Sequence, residues 1–146
     1  MNDTITILHV DDDEDIRTIT ELSLSLGSGF ELYQCASGPE AIEMAPRINP
    51  DVFILDMVMP GMNGEETWKR LKDVSGLQAK PTIFMSARAE EDFAERLVAM
   101  GAAGVITKPF DPVNLGQDIK DVLAEARKSA AGTGSGSAGI EMPSET

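Results

Sequence analysis

The stretch VFILDMVMPGMNG, residues 52–64, contains a short apolar run that ends at a carboxylate. Four apolar residues lead directly into Asp56, and the loop that follows contains Pro60, Gly61 and Gly64. A continuous apolar run bounded by turn residues is typical of a strand buried on both faces of a parallel sheet. The stretch therefore predicts a buried strand that presents Asp56 at its carboxyl end.

Four other short apolar runs also predict strands. Stretches with helical spacing or a helix-capping pattern separate them. The four runs span residues 5–10, 30–36, 82–85 and 105–107. Strands that alternate with amphipathic helices predict an α/β fold, in which a five-stranded parallel sheet is covered by helices on both faces. Because crossovers between parallel strands are right-handed, we expect an open, doubly wound arrangement.

The amino-acid composition limits which classes of protein this chain can belong to. The 146 residues suit one domain, and 25 acidic against 12 basic residues give a formal charge of −13. Because the phosphates of nucleic acid bind Lys and Arg side chains, this acidic balance argues against a nucleic-acid-binding protein. It favours the binding of cations. The single Cys35 excludes an internal disulfide and is predicted to be a core residue. Without a signal peptide or a membrane-length apolar stretch, we expect a cytoplasmic protein that binds neither membrane nor nucleic acid.

The composition changes near the C-terminus. From Ala130 onward Ala, Gly, Ser and Thr predominate, and such a segment buries little apolar surface. The sequence therefore predicts a domain over residues 1–129 and a flexible Gly/Ser/Ala-rich tail over residues 130–146. A linker to a further domain is the alternative interpretation of that segment.

Polar side chains follow four of the five predicted strands. Asp11 and Asp12 come after the first strand, Asp56 after the third, Ser86 after the fourth and Lys108 after the fifth. Because the carboxyl ends of parallel strands share one edge, where ligands bind, we expect these side chains to converge. Clustered carboxylates require a cation, and Mg²⁺ prefers oxygen ligands. An Asp oxygen there can attack phosphorus, while an ammonium and a hydroxyl group stabilise the transferred oxygens.

Four stretches at these strand ends resemble the receiver domains of response regulators. They are ILHVDDDED (7–15), VFILDMVMPGMNG (52–64), TIFMSA (82–87) and GVITKPF (104–110). The resemblance covers about residues 5–128 in the family's order, and together the four stretches are highly specific. It implies the flavodoxin-like strand order 2-1-3-4-5 and a single-domain, chemotaxis-regulator-like signalling switch.

The resemblance also implies a role for each site residue. Asp56 is the expected phosphoacceptor. The expected metal ligands are Asp11, Asp12, Asp56 and the backbone carbonyl of Val58, with Mg²⁺ as the cofactor and Mn²⁺ as the alternative. The expected donor is a phosphohistidine on a histidine kinase or a histidine phosphotransfer protein, and the downstream partner is an unidentified protein. The switch catalyses its own phosphorylation and is not a conventional turnover enzyme.

The other implied roles concern the fourth and fifth strands. Ser86 is the expected switch hydroxyl, and Lys108 is expected to bind a phosphoryl oxygen. In this family the bond from that Lys to Pro109 is often cis. Many members have an aromatic residue three positions before the Lys, where this chain has Val105. We therefore expect the output to depend on backbone movement in place of a rotating ring.

Two other functions are compatible with these residues. An aspartate-nucleophile phosphatase of the haloacid-dehalogenase type would use Asp11 and Asp13, which have the required Asp-x-Asp spacing. A binding-only pseudo-receiver would keep the fold without phosphorylation. His9 lies within the first apolar run, and we expect it to be packed and hydrogen-bonded there.

Overall fold

The computed structural model describes residues 4–27 and 29–136, with side chains described as far as Lys128. In that part of the chain, strands and helices alternate, and a short 3₁₀ helix, Arg88–Glu90, lies before the fourth α helix. The strands are β1 (Ile5–Val10), β2 (Phe30–Cys35), β3 (Val52–Asp56), β4 (Thr82–Ala87) and β5 (Gly104–Lys108). The α helices are α1 (Glu14–Ser25), α2 (Gly38–Ile48), α3 (Gly64–Lys72), α4 (Glu91–Ala99) and α5 (Leu115–Gly136).

The five strands form one parallel sheet in the order β2-β1-β3-β4-β5. This confirms the predicted doubly wound α/β fold with strand order 2-1-3-4-5. The register pairs Val10 with Leu55, Asp56 with Met85 and Ser86 with Thr107. The polar residues at the ends of these strands are therefore brought to one edge of the sheet.

Alternate side chains of the strands enter two separate apolar layers. Phe53, Leu55 and Phe84 lie in one layer, which α2, α3 and α4 cover. Ile54 and Met85 lie in the other layer, which α1 and α5 cover. Strands buried on both faces are continuous apolar runs in the sequence, which explains why their positions were predicted correctly.

Side-chain caps fix where two of the helices begin. Asn63 accepts a hydrogen bond from the Glu66 main chain, and the Glu66 carboxylate accepts one from the Asn63 main chain, which is a complete capping box. Ser37 and Glu40 form a capping-box pattern in the sequence, and Ser37 caps α2 by accepting a hydrogen bond from the main-chain N–H of Glu40. The Glu40 carboxylate, however, accepts from Ala36, one residue before the position that the capping-box pattern predicts.

Ile16, Ile19, Leu22 and Leu26 recur at helical spacing and predict a helix, which α1 confirms, but its buried face differs from that spacing. Leu22 and Leu26 are 61% and 68% exposed, while Thr20 and Leu24 are buried against the sheet. The side chain of Gln34 donates a hydrogen bond to the main-chain oxygen of Arg17. This contact between β2 and α1 fixes the face that the helix turns towards the sheet.

The sequence favours Asp111 as the cap of the last helix, with Pro112 at its first position, but helix α5 begins later than this pattern predicts. Asp111 does not cap the helix directly, because its carboxylate binds Val113 and Asn114 in a turn and the helix begins at Leu115. The described helix continues past Ala130 to Gly136, into the segment predicted to be a flexible tail. Residues 137–146 lie outside the described part of the chain. None of the described helices is both long and apolar enough to span a bilayer.

Candidate functional site

Three carboxylates meet at the carboxyl edge of the sheet. One oxygen from each of Asp11, Asp12 and Asp56 lies within 4.8 Å of the others. Asp11 follows β1 directly and Asp56 is the last residue of the neighbouring β3, so the parallel pairing of these strands positions both. Asp11 and Asp56 are buried, while Asp12 is exposed. The cluster therefore has two buried members and one that faces solvent.

Lys108 extends from the end of β5 into this cluster. Its Nζ atom donates a hydrogen bond to Asp56 Oδ1 over 2.8 Å and lies 3.6 Å from Asp11 Oδ2. The peptide bond between Lys108 and Pro109 is cis, as the family resemblance led us to expect. One ammonium group thus contacts carboxylates from two other strands.

Burial changes the acid–base behaviour of the cluster. It raises the pKa of Asp56 to about 6, although the hydrogen bond from Lys108 acts in the opposite direction. Burial also raises the pKa of Asp11. Burial alone would lower the pKa of Lys108, but the hydrogen bond to Asp56 and the charge of Asp11 raise it overall. At neutral pH the site therefore holds an ionised Asp56 beside a protonated Lys108.

Ser86 brings a hydroxyl group to the same edge from β4. The residue is 0% exposed, and its Oγ atom has no hydrogen-bond partner in the described part of the chain. The next residue, Ala87, donates its main-chain N–H to the Glu90 carboxylate. A buried hydroxyl without an acceptor is costly, so Ser86 Oγ can donate to an acceptor that enters the site.

Asp11 is held at three of its polar atoms. Its main-chain N–H donates to Cys35, its main-chain oxygen accepts from Arg17, and its Oδ1 accepts from the Asp13 main chain. Its Oδ2 is buried without a hydrogen-bond partner among the described residues. A carboxylate oxygen that has no hydrogen bond, and only an ion-pair contact of 3.6 Å with Lys108, lies in a cluster of oxygen donors and fits a hard divalent cation such as Mg²⁺. The donor set of this site is therefore suited to the expected metal.

The loop after Asp56 approaches the site closely. A Cβ atom at Gly64 would collide with the main-chain oxygen of Asp56, so only glycine fits there. Val58 lies between them with an exposed side chain, and its carbonyl remains a predicted ligand. Asp13, by contrast, does not join the cluster. Its carboxylate caps α1 through the main-chain N–H groups of Asp15 and Ile16, which disfavours the phosphatase alternative.

The sequence interpretation did not identify two residues beside the site. Arg17 donates to the main-chain oxygen of Asp11, and Gln34 joins Arg17 to His9. His9 is fully buried and hydrogen-bonded, as predicted, and burial together with the charges of Lys108 and Arg17 lowers its pKa to about 3. The polar side chains of His9 and Gln34, which lie within two predicted strands, were the signal that could have revealed this network.

Comparison with known proteins gives a consistent result. The family model described as the response regulator receiver domain matches residues 7–120. The phosphate regulon transcriptional regulatory protein PhoB of Pseudomonas aeruginosa is 34% identical over 137 residues, which cover 94% of this chain and 57% of that protein. The nitrate/nitrite response regulator protein NarL of Escherichia coli is 33% identical over 128 residues, with 87% and 55% covered. The chain thus spans little more than half the length of these relatives.

Solved structures agree with the sequence relatives. The chemotaxis response regulator CheY4 of Vibrio cholerae superposes with a TM-score of 0.74 at 31% sequence identity. The match covers 82% of this chain and 99% of that protein. A two-component response regulator of the LuxR family from Aurantimonas has a TM-score of 0.72 at 27% identity, with 84% and 86% covered.

Proposed function

The chain belongs to the family of response regulator receiver domains, and we propose that it is a two-component signalling switch that accepts a phosphoryl group on Asp56. The observation that carries this proposal is the hydrogen bond of 2.8 Å between Lys108 and Asp56, next to two further carboxylates. A nucleophile, a cation-binding cluster and a cationic side chain are the parts that phosphoryl transfer to an aspartate requires.

The chemical step follows from these positions. A carboxylate oxygen of Asp56 attacks the phosphorus atom of a phosphohistidine, an O–P bond forms, and the N–P bond breaks. The imidazole leaves and takes up a proton from solvent. Because the pKa of Asp56 is about 6, the carboxylate is mostly ionised at neutral pH and available as the nucleophile. The product is an aspartyl phosphate.

Lys108 and Ser86 act on the transferred group in this proposal. The ammonium group of Lys108 leaves the Asp56 carboxylate and binds a phosphoryl oxygen. The flexible side chain of Lys108 permits this movement. The Ser86 hydroxyl, which lacks a partner in the described structure, donates to another phosphoryl oxygen. Movement of Ser86 is thereby coupled to the phosphoryl group and gives the switch its readout.

Asp11, Asp12, Asp56 and the carbonyl of Val58 would hold Mg²⁺, with Mn²⁺ as the alternative metal. When bound, the metal would neutralise charge on the transferred oxygens. The donor would be a histidine kinase or a histidine phosphotransfer protein, and the phosphorylated domain would change its affinity for a downstream protein. We further propose that the domain comprises residues 1–129, followed by a tail over residues 130–146. A cytoplasmic location accords with the single, buried Cys35.

Phosphorylation in this proposal is autocatalytic and stoichiometric, so the protein is not a conventional turnover enzyme. The test is the intact mass of the protein after incubation with acetyl phosphate, with and without Mg²⁺. We expect one added phosphoryl group that requires both Mg²⁺ and Asp56. The Asp56→Asn variant should remain unmodified, while Asp92→Asn, an exposed position on α4, should react as the wild type does.

Other outcomes would favour the alternatives. A folded, metal-bound protein that forms no adduct with an intact donor would support a binding-only pseudo-receiver. Steady hydrolysis of a phosphate ester that survives Asp56→Asn but is abolished by Asp11→Asn would support the phosphatase.

A further inference from the structure

Beyond the residues that touch the reacting group, we propose that Arg17 and Gln34 are positioning residues for Asp11, with the buried His9 as their anchor. The inference rests on the proposed function, because Asp11 acts as a ligand only where the cluster binds a cation. Neither Arg17 nor Gln34 touches the phosphoryl group in this proposal. Both act through the hydrogen bonds that hold Asp11.

The network begins at the side chain of Gln34 on the edge strand β2. Its Nε2 atom lies 3.0 Å from His9 Nδ1 and 2.8 Å from the main-chain oxygen of Arg17. An amide nitrogen has two hydrogens and can only donate, so both contacts use it fully. His9 Nδ1 must then accept, which makes His9 a neutral ring with its proton on Nε2. Gln34 thus ties β1 to the main chain of α1.

Arg17 connects α1 back to the end of β1. Its guanidinium group donates to the main-chain oxygen of Asp11 over 2.7 Å. The hydrogen bonds therefore close a ring, which runs along β1 from His9 to Asp11, across to Arg17 on α1, and back through Gln34 on β2. Three elements that are separate in sequence are locked together immediately beneath the acidic cluster.

The ring and two further hydrogen bonds together hold every polar atom of Asp11 except Oδ2. The main-chain N–H of Asp11 is bonded to Cys35 at 3.2 Å, and Oδ1 is bonded to the Asp13 N–H at 2.9 Å. With the main-chain oxygen held by Arg17, Oδ2 has no hydrogen bond in the described structure and contacts only the Lys108 ammonium group, 3.6 Å away. A ligand whose other atoms are fixed has less freedom to lose when it binds a metal. Removal of such supporting partners typically weakens metal binding by about 10- to 100-fold.

Charge and positioning make opposite predictions for Arg17. Its positive charge lies close to the cluster and repels a divalent cation, so a purely electrostatic role predicts tighter Mg²⁺ binding when that charge is removed. A positioning role predicts weaker binding, because the main chain of Asp11 loses its restraint. The sign of the change therefore distinguishes the two roles.

The experiment is a calorimetric titration of the full chain with Mg²⁺. The variants are Arg17→Met, which removes the donor and the positive charge but keeps an unbranched apolar stem, and Gln34→Leu, which removes both hydrogen bonds without a change of charge. The matched control is Arg47→Met on α2, since the Arg47 side chain is 71% exposed and pairs only with Glu43 among the described residues. We expect the Mg²⁺ dissociation constant to rise about ten-fold for Arg17→Met, less for Gln34→Leu, and to stay at the wild-type value for the control.

A second readout separates positioning from loss of folded protein. The rate of phosphorylation by acetyl phosphate is measured over a range of Mg²⁺ concentrations. We expect the half-saturating concentration to rise in both variants, while the rate at saturating Mg²⁺ stays near that of the wild type. A smaller folded fraction would lower the amplitude without moving the half-saturation point.

Each remaining outcome contradicts a specific proposal. If Arg17→Met and Gln34→Leu bind Mg²⁺ as tightly as the wild type or more tightly, the positioning role is wrong while the switch function stands. If the wild-type protein itself binds no Mg²⁺, both proposals are wrong.

Discussion

At Asp56, burial and an ion pair act on the same carboxyl group in opposite directions. Burial raises the pKa, the hydrogen bond from Lys108 lowers it, and burial prevails, with a pKa of about 6. The unfolded chain has the ordinary value of about 3.9. A proton therefore binds the folded state more tightly than the unfolded state. Protonation of Asp56 therefore contributes to the free energy of unfolding. This contribution is fully present below about pH 4 and is lost as the pH rises through about 6.

We predict that Asp56→Asn stabilises the metal-free protein at pH 7.5. Because asparagine carries no charge, the variant avoids burial of an ionised group, and its free energy of unfolding should be higher by roughly 1–2 kcal/mol. At pH 4.5, where the folded wild type is already protonated, the difference should shrink towards zero. Urea unfolding in the presence of a chelator measures both values. A variant less stable than the wild type at pH 7.5 would show that the pairing with Lys108 outweighs burial.

At the scale of single residues, the sequence predicted that the polar side chains at the strand ends lie at one edge of the sheet, where the structure places them. Each follows an apolar run, so the chain itself marks Asp11, Asp56, Ser86 and Lys108. Arg17 was not marked, because its contact with the Asp11 main chain depends on how α1 is rotated against the sheet. The local sequence pattern does not specify that rotation.

At the scale of single elements, the loop after Asp56 leads into α3, which begins at a capping box. We predict that Asn63→Ala lowers the free energy of unfolding by about 1 kcal/mol, because the first turn loses its side-chain acceptor. Asn63→Asp should restore most of the stability, since aspartate caps equally well. Chemical denaturation of the three proteins provides the measurement. Equal losses in both variants would indicate that packing, and not the cap, accounts for the effect.

The helices also show where element-level prediction is limited. Helical spacing predicted that α1 exists, but it favoured Leu22 and Leu26, which are largely exposed, over the buried Thr20. Periodicity counts apolar residues, whereas the face of α1 is fixed by a polar contact from Gln34. Similarly, Asp111 had the sequence features of a helix cap, but its carboxylate stabilises the turn before α5.

For the molecule as a whole, the stability should reside in residues 1–129. On α5, Leu115, Ile119 and Leu123 are buried at successive turns, while Arg127, the next residue at this spacing, is exposed. We predict that a chain ending at residue 129 keeps the unfolding midpoint and the m-value of the full chain, because it loses no described buried side chain. Thermal and urea unfolding of both chains test this. A lower m-value for the short chain would mean that the removed segment buries surface.

The overall architecture was the most predictable level of this protein. Five short strands that alternate with helices leave few ways to arrange a parallel sheet once crossovers are right-handed. The strand order and the two apolar layers are as expected. The far end of α5 was less predictable, since composition near Ala130 suits both a flexible segment and a helix.

The site draws on residues from β1, β3, β4 and β5, and the last of them, Lys108, belongs to the final strand. During synthesis, a nascent chain that has not yet released this strand from the ribosome lacks the ammonium group that faces Asp56. The same holds for a proteolytic fragment cut before β5. Such pieces cannot assemble the complete site, so we expect them to accept no phosphoryl group on Asp56.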